Sequence, residues 1–184
     1  KFYSSVTHAS SHAGYYPGAT PMTVKLVYSP EGKIYGAQVT GYDGVDARID
    51  MIAAVTGMNG TVYDLGEVEH AYAPPFSSAK DPVNAAAFTA ENIVRGLVKA
   101  VSWRDIGAEA GSYILDVRTR QEFSMGSIPG SVNIPVDELR EYLDRLPRDR
   151  KIIITCAAGL RGYLASRVLT QNGFDDVWNL SGGY

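Results

Sequence analysis

A single cysteine is the residue of this sequence best suited to nucleophilic chemistry. Cys156 follows the apolar run of residues 151–155 (KIIIT), which predicts a buried strand, and a helix is predicted over residues 162–171. The loop between them consists mainly of small residues and leads to an arginine: Ala157, Ala158, Gly159, Leu160, Arg161 and then Gly162. A loop from the carboxyl end of a parallel strand into a helix points backbone N–H groups into one concavity, where small residues allow an anion to approach closely.

This pattern predicts a thiolate nucleophile within an anion-binding loop. Both the helix N-terminus and the guanidinium of Arg161 favour negative charge on the Cys156 sulfur. The competing interpretation is a buried structural cysteine, which is the commoner fate of a lone cysteine. The small residues and the arginine five positions after Cys156 favour the nucleophile.

The composition excludes several other classes of protein and site. The chain has 184 residues, enough for two small domains, and its 45% hydrophobic and 20% charged residues are typical of globular proteins. A net charge of −3 gives no case for nucleic-acid binding, and no apolar run reaches the roughly 20 residues of a membrane helix. One cysteine excludes an intrachain disulfide and a cysteine-rich zinc site, so we expect a cytoplasmic chain without a bound metal.

The basic residues change near residue 100 from mostly Lys to almost entirely Arg, which predicts two modules. In residues 1–100, alternating residues 22–28 and 33–41 predict a β-hairpin. Two helices follow, with Asp46 and Asp81 as their expected N-caps. Antiparallel strands followed by helices predict an α+β module.

Residues 101–184 instead alternate between helix and strand, which predicts an α/β module with a parallel sheet covered on both faces. A short helix is expected after Ser102, and Thr119 and Glu122 form a capping box. The remaining elements are strands over residues 113–117, 151–155 and 177–180, and helices over residues 136–146 and 162–171.

Several motifs of residues 101–184 resemble a rhodanese domain. They are Cys-x-x-Gly-x-Arg at residues 156–161, DVR at 116–118, GSIPGSVNIP at 126–135 and NLSGG at 179–183. Ser127 departs from the family, which often has His there. The resemblance implies that the Cys156 thiolate accepts a sulfane sulfur as a persulfide, that the loop N–H groups hold it and that Arg161 offsets its charge. Asp116 and Arg118 are then expected to be structural.

The first module contains two unusual tyrosine segments, residues 12–20 (HAGYYPGAT) and 70–82 (HAYAPPFSSAKDP). From composition alone, their tyrosines are half-buried sheet or interface residues. Both segments are similar to the C-terminal dimerisation domain of flavin-dependent pyridine nucleotide–disulfide oxidoreductases. They most resemble the branch of coenzyme A-disulfide reductases and NADH-dependent persulfide or polysulfide reductases that carries a fused rhodanese domain.

This second resemblance implies a homodimer through residues 1–100, in which two tyrosines approach the redox site of the partner subunit. Tyr72 and Tyr15, the latter preferred over Tyr16, are expected to act there as hydroxyl donors. The sequence lacks a GxGxxG fingerprint, so we expect this chain to bind no cofactor itself. FAD, NAD(P)H and possibly coenzyme A would be bound by the full-length protein, and the dimerisation domain is expected to be truncated at its N-terminus, without its first strand.

The favoured interpretation is therefore the C-terminal part of a reductase acting on persulfide, polysulfide or coenzyme A thiol substrates. Two alternatives remain open. The chain could be a non-catalytic module that dimerises and binds or delivers sulfur. It could also be a cysteine-based phosphatase or arsenate reductase, although the loop from Cys156 to Arg161 is one residue shorter than the phosphatase pattern.

Overall fold

The chain folds into two compact units, Lys1–Arg95 and Gly96–Tyr184, in a computed structural model that describes residues 1–106 and 111–184. Each unit has its own β-sheet and its own buried apolar core. The combination of an antiparallel α+β unit and a parallel α/β unit confirms the predicted fold class.

The sheet of the first unit has three antiparallel strands in chain order: β1 (Tyr3–Ser10), β2 (Pro21–Tyr28) and β3 (Ile34–Gly41). Alternate residues of β2 are fully buried, which confirms the hairpin predicted from that alternation. No strand is predicted before Met22, yet β1 pairs with β2 along its whole length. The sequence of β1 is polar and only Ser5 is buried in it, so it carries no alternation to read.

Three helices complete this unit: α1 (Val45–Gly57), α2 (Val62–Gly66) and α3 (Pro82–Val94). Asp81 caps α3 by accepting the Val83 N–H, as predicted. The expected cap at Asp46 is wrong, because the N-cap of α1 is Gly44 in a left-handed conformation with φ 64°. Asp46 lies in the first turn, where its charge complements the helix dipole.

The second unit is built on a five-stranded parallel sheet in the order β4-β8-β7-β5-β6. Its strands are β4 (Lys99–Val101), β5 (Tyr113–Asp116), β6 (Val132–Asn133), β7 (Ile152–Thr155) and β8 (Val177–Leu180). All four residues of β7, the central strand, are buried. The sequence predicts the three inner strands but neither edge strand, because β4 and β6 are too short to show a period.

The helices of this unit are α4 (Trp103–Ile106), α5 (Arg120–Ser124) and α6 (Leu160–Gln171). Thr119 and Glu122 form the predicted capping box at α5. The helix predicted over residues 136–146 is instead a 3₁₀ helix, Leu139–Arg145. It ends at Leu146 in extended backbone, as the following proline requires.

None of the helices in the described ranges has the length and apolar character needed to cross a membrane.

Candidate functional site

The cysteine loop joins the carboxyl end of the central strand β7 to the N-terminus of α6. Cys156 directly follows β7, and Gly159 is the N-cap of α6 with φ 95°. A residue with a side chain rarely adopts this φ, so the turn requires glycine. Ala157, Ala158 and Leu160 are exposed along the loop, whereas Cys156 is only 1% exposed.

Two backbone N–H groups converge on the Cys156 sulfur. The Gly159 N–H donates to Sγ at 3.0 Å and the Gly162 N–H donates to it at 3.2 Å. From the other side, the Tyr184 N–H donates to the Cys156 carbonyl at 2.7 Å and holds the start of the loop. Backbone donors aimed at one atom stabilise negative charge there, so this geometry suits a thiolate or a persulfide anion.

Arg161 binds a carboxylate rather than standing free beside the sulfur. Its Nη1 and Nη2 donate to the two oxygens of Glu122, each at 2.7 Å. These hydrogen bonds raise the pKa of Arg161 and hold the pKa of Glu122 well below its usual range. Glu122 also accepts the Thr119 N–H at 2.9 Å, so one carboxylate caps α5 and ties it to the first turn of α6.

The sequence indicates Glu122 only as a helix cap, because its partner Arg161 lies 39 residues further along the chain. Asp116 and Arg118 form a second arginine–carboxylate pair, which is buried, with a shortest distance of 2.7 Å. Arg118 also donates to the Gly126 carbonyl at 2.7 Å. These contacts fasten the end of β5 to the following loop.

In the first unit, the two tyrosines singled out from the sequence meet through their hydroxyl groups. Tyr15 Oη and Tyr72 Oη are 3.0 Å apart, and the residues are 77% and 49% exposed. Tyr16 points elsewhere, and its ring packs edge-on against His12. The hydrogen bond to Tyr15 raises the pKa of Tyr72, so this hydroxyl holds its proton more tightly than a free tyrosine does.

A buried ion pair that sequence reasoning did not identify connects the two tyrosine segments. Arg48 Nη2 lies 2.8 Å from Asp81 Oδ2, and the same nitrogen donates to the carbonyls of Ser11 and Phe76 at 2.9 and 3.2 Å. Ser77 Oγ donates to Asp81 at 2.6 Å. The network therefore ties the backbone just before Tyr15 to the backbone just after Tyr72. Of the residues in this network, the sequence indicated only Asp81, and it did so as a helix N-cap.

Comparison with known proteins assigns both units. Residues 1–83 match the dimerisation domain of pyridine nucleotide-disulphide oxidoreductases, and residues 101–184 match the rhodanese-like domain. The chain joins an oxidoreductase dimerisation domain to a rhodanese-like domain. Both resemblances recognised in the sequence are thereby confirmed.

Solved structures with the same pair of domains cover the whole chain. The structure of reduced Bacillus anthracis CoADR-RHD is 50% identical with a TM-score of 0.96, and the chain covers 33% of it. A NAD-dependent persulfide reductase from A. fulgidus is 36% identical with a TM-score of 0.88, and the chain covers 34% of it. Coenzyme A disulfide reductase of Staphylococcus epidermidis is 40% identical over 82 residues, which are 44% of this chain and 19% of that protein. The chain thus spans about a fifth to a third of the length of these relatives.

The buried pair of the dimerisation domain predicts a pH-dependent stability. Burial alone would raise the pKa of Asp81, but hydrogen bonds from Arg48, Ser77 and Val83 lower it. A carboxyl group with a lowered folded-state pKa stabilises the fold above its unfolded pKa of about 3.9, and this contribution is lost as the pH falls through the folded value. We expect Asp81→Asn to cost about 3 kcal/mol at neutral pH and progressively less below a pH of about 4.

Urea unfolding followed by circular dichroism at a series of pH values measures this difference. Asp50→Asn, on the exposed surface of α1, is the matched control and should change the free energy of unfolding by less than about 0.5 kcal/mol. A cost for Asp81→Asn that is the same at every pH would contradict the prediction.

The Glu122 pair of the rhodanese-like domain predicts a change in the reactivity of Arg161. Glu122→Gln removes the charged acceptor, so we expect phenylglyoxal to label Arg161 about two- to fivefold faster, the range for a partly exposed ion pair. Arg120 is the internal control, because it lies in the same helix as Glu122 but pairs with a different carboxylate, that of Glu138. Mass spectrometry of the labelled peptides should show Glu138→Gln accelerating Arg120 alone. Equal labelling of Arg161 in the parent and in Glu122→Gln would refute the prediction.

Proposed function

We propose that this chain is the C-terminal part of a flavin- and NAD(P)H-dependent reductase of coenzyme A disulfides, persulfides or polysulfides. In this proposal, Cys156 of the rhodanese-like domain, residues 101–184, carries a sulfane sulfur as a persulfide. The observation that carries the proposal is the convergence of the Gly159 and Gly162 N–H groups on Cys156 Sγ at 3.0 and 3.2 Å. The names of the two relatives that cover the whole chain agree with it.

The proposed step is a sulfur transfer between two thiols. The Cys156 thiolate attacks the terminal sulfur of a donor R–S–SH, the S–S bond of the donor breaks, and R–S⁻ leaves with the electron pair. The product is Cys156–S–SH, which loses its proton to become a persulfide anion. The Gly159 and Gly162 N–H groups are aimed at Sγ, so they stabilise the attacking thiolate, and the N–H groups of the loop would hold the persulfide that forms.

Two features favour sulfur over a phosphoryl group. The loop from Cys156 to Arg161 is one residue shorter than the phosphatase pattern and therefore narrower. In addition, the charge of Arg161 is already paired with Glu122. A persulfide carries a single negative charge that backbone N–H groups can hold, whereas a phosphate dianion calls for a free guanidinium.

The tyrosine pair is proposed to serve the reductase half of the reaction. Residues 1–100 would form a homodimer and present Tyr15 and Tyr72 to the redox site of the partner subunit. There the Tyr72 hydroxyl, held by Tyr15 at 3.0 Å, would donate a proton to a departing thiolate or persulfide. Both side chains are exposed in the single chain, as a role toward a second subunit requires.

The anion-binding turn after β7 does not fit a flavin or a nicotinamide cofactor. The turn is occupied by the Cys156 side chain, which takes the N–H groups of Gly159 and Gly162. No GxGxxG fingerprint occurs in the sequence. The proposal therefore places FAD and NAD(P)H, which would supply two electrons for reduction of the sulfane sulfur, in other residues of a longer protein.

The sulfur-transfer step can be tested on the chain as it is. After incubation with a persulfide donor, intact mass should show the gain of one sulfur atom, and cyanide should release it as thiocyanate and regenerate the thiol. Cys156→Ser should abolish both signals, because an alkoxide cannot be formed under the same conditions. The persulfide without turnover would favour the sulfur-delivery alternative, whereas aryl phosphate hydrolysis lost in Cys156→Ser would favour the phosphatase alternative.

The tyrosine proposal requires the full-length protein. Tyr72→Phe removes the proposed proton donor and should slow NAD(P)H-dependent turnover by about a hundredfold, the lower range for general acid catalysis. Tyr16→Phe is the matched control and should leave turnover unchanged, because Tyr16 packs against His12 instead. Equal turnover in Tyr72→Phe and Tyr16→Phe would contradict the role of Tyr72.

A further inference from the structure

One side chain lies against both glycines whose N–H groups bind the Cys156 sulfur. Asn179, in β8, donates from Nδ2 to the Gly159 carbonyl at 3.2 Å. Its Oδ1 lies over Gly162, where an added Cβ would overlap it. We infer that Asn179 is a positioning residue, which holds the N–H groups of Gly159 and Gly162 in the orientation that binds sulfur on Cys156.

The contact with Gly159 restrains the most flexible residue of the loop. Glycine has access to far more backbone conformations than other residues, and Gly159 adopts φ 95°, where the turn can easily change. Its N–H points at Cys156 Sγ at 3.0 Å, while its carbonyl accepts the Tyr163 N–H at 2.9 Å and Asn179 Nδ2 at 3.2 Å. Anchoring the carbonyl side of Gly159 thus limits the rotations that would turn its N–H away from the sulfur.

The contact with Gly162 sets the position of the first turn of α6. Gly162 is buried, and the amide of Asn179 occupies the volume that any side chain at position 162 would need. The backbone of α6 at Gly162 therefore packs against the Asn179 side chain of β8. This close approach places the Gly162 N–H 3.2 Å from Cys156 Sγ.

The unpaired oxygen of Asn179 supports a positioning role. Within the described residues, Asn179 Oδ1 is buried and has no hydrogen-bond partner. The Gly159 carbonyl can only accept, so the amide nitrogen must face it and the oxygen must face Gly162. A buried polar atom without a partner is destabilising, and an apolar side chain of the same size would avoid that cost. The asparagine is therefore explained by its donor, which an apolar residue lacks.

The inference rests on the proposed function for its purpose, but its test does not require sulfur transfer. Asn179→Leu keeps the branched shape of the side chain and removes the donor. Asn172→Leu is the matched control, because Asn172 also donates to a backbone carbonyl, that of Val168 at 2.8 Å, at the other end of α6. The probe is the rate at which iodoacetamide alkylates Cys156 near pH 7 and near pH 10, on either side of the ordinary thiol pKa of about 8.5.

If Asn179 directs the two N–H groups, its loss removes stabilisation of the thiolate. The alkylation rate then falls at a pH where only part of the thiol is ionised, and it is unchanged at a pH where the thiol is fully ionised. We expect Asn179→Leu to slow alkylation near pH 7 by about three- to tenfold, the equivalent of one hydrogen bond, and to leave the rate near pH 10 unchanged. The persulfide formed on Cys156 should also be lost faster. Asn172→Leu should match the parent in each measurement. Faster alkylation of Asn179→Leu at both pH values would mean that the loop has merely loosened, and would overturn the inference.

A second pair of variants covers the case in which Asn179→Leu fails to fold. Gly162→Ala should lower the melting temperature, and combining it with Asn179→Ala should lower it by less than the sum of the two single changes, because the clash is removed. Additive effects on the melting temperature would contradict the contact between Asn179 and Gly162.

The proposed function and the positioning role fail in different ways. A parent chain that forms no persulfide, with the alkylation pattern intact, would refute the proposed function and leave the positioning role. If the parent forms the persulfide but Asn179→Leu and Asn172→Leu are alkylated at the same rates, the positioning role would be refuted and the proposed function would stand.

Discussion

Two backbone N–H groups have to reach one sulfur atom, and this requirement constrains most of the second unit. Cys156 has to stand where β7 ends, and α6 has to begin close enough for Gly159 and Gly162 to face back toward it. A parallel sheet provides this arrangement, because the carboxyl ends of its strands and the N-termini of the following helices share one edge. The fully buried strand β7 gives that edge a rigid base.

The distribution of charge around the loop is as informative as the hydrogen bonds to sulfur. Arg161 is bound by both oxygens of Glu122, and Arg118 is bound by Asp116. Each guanidinium therefore serves first to join two segments of backbone. The hydrogen bonds to the sulfur come from neutral backbone donors, which suits a small anion of single charge better than a phosphoryl group. In this arrangement, the hydrogen bonds from Arg161 to Glu122 connect α6 to α5.

The first unit also holds side chains proposed to react in fixed positions, but it uses a buried ion pair to do so. Tyr15 and Tyr72 are exposed and lie on loops, yet their hydroxyl groups are held 3.0 Å apart. The Arg48–Asp81 pair, whose side chains are almost completely buried, connects the backbone of the two tyrosine loops at Ser11 and Phe76. In both units, the side chains proposed to react, exposed in the first unit and buried in the second, thus rest on backbone that polar contacts hold. This is the usual requirement for a preorganised site.

The sequence by itself determined the features that depend on neighbours within a few residues. The strand, loop and helix around Cys156, the capping box at α5 and the β2–β3 hairpin all follow from local patterns, and the motifs sufficed to identify both domains. It did not reveal β1, β4 or β6, because polar or very short strands are specified by their partners. Nor did it distinguish the 3₁₀ helix Leu139–Arg145 from an α-helix.

Only the tertiary structure decided which distant side chains meet. Tyr15 and Tyr72 are 57 residues apart in the chain, Arg161 and Glu122 are 39 apart, and Arg48 and Asp81 are 33 apart. Asn179 reaches Gly159 from the next strand of the sheet, 20 residues away. Such contacts depend on how whole elements pack, and a local pattern holds no information about packing partners. The proposed nucleophile could therefore be read from the sequence, whereas the residues that surround and position it could not.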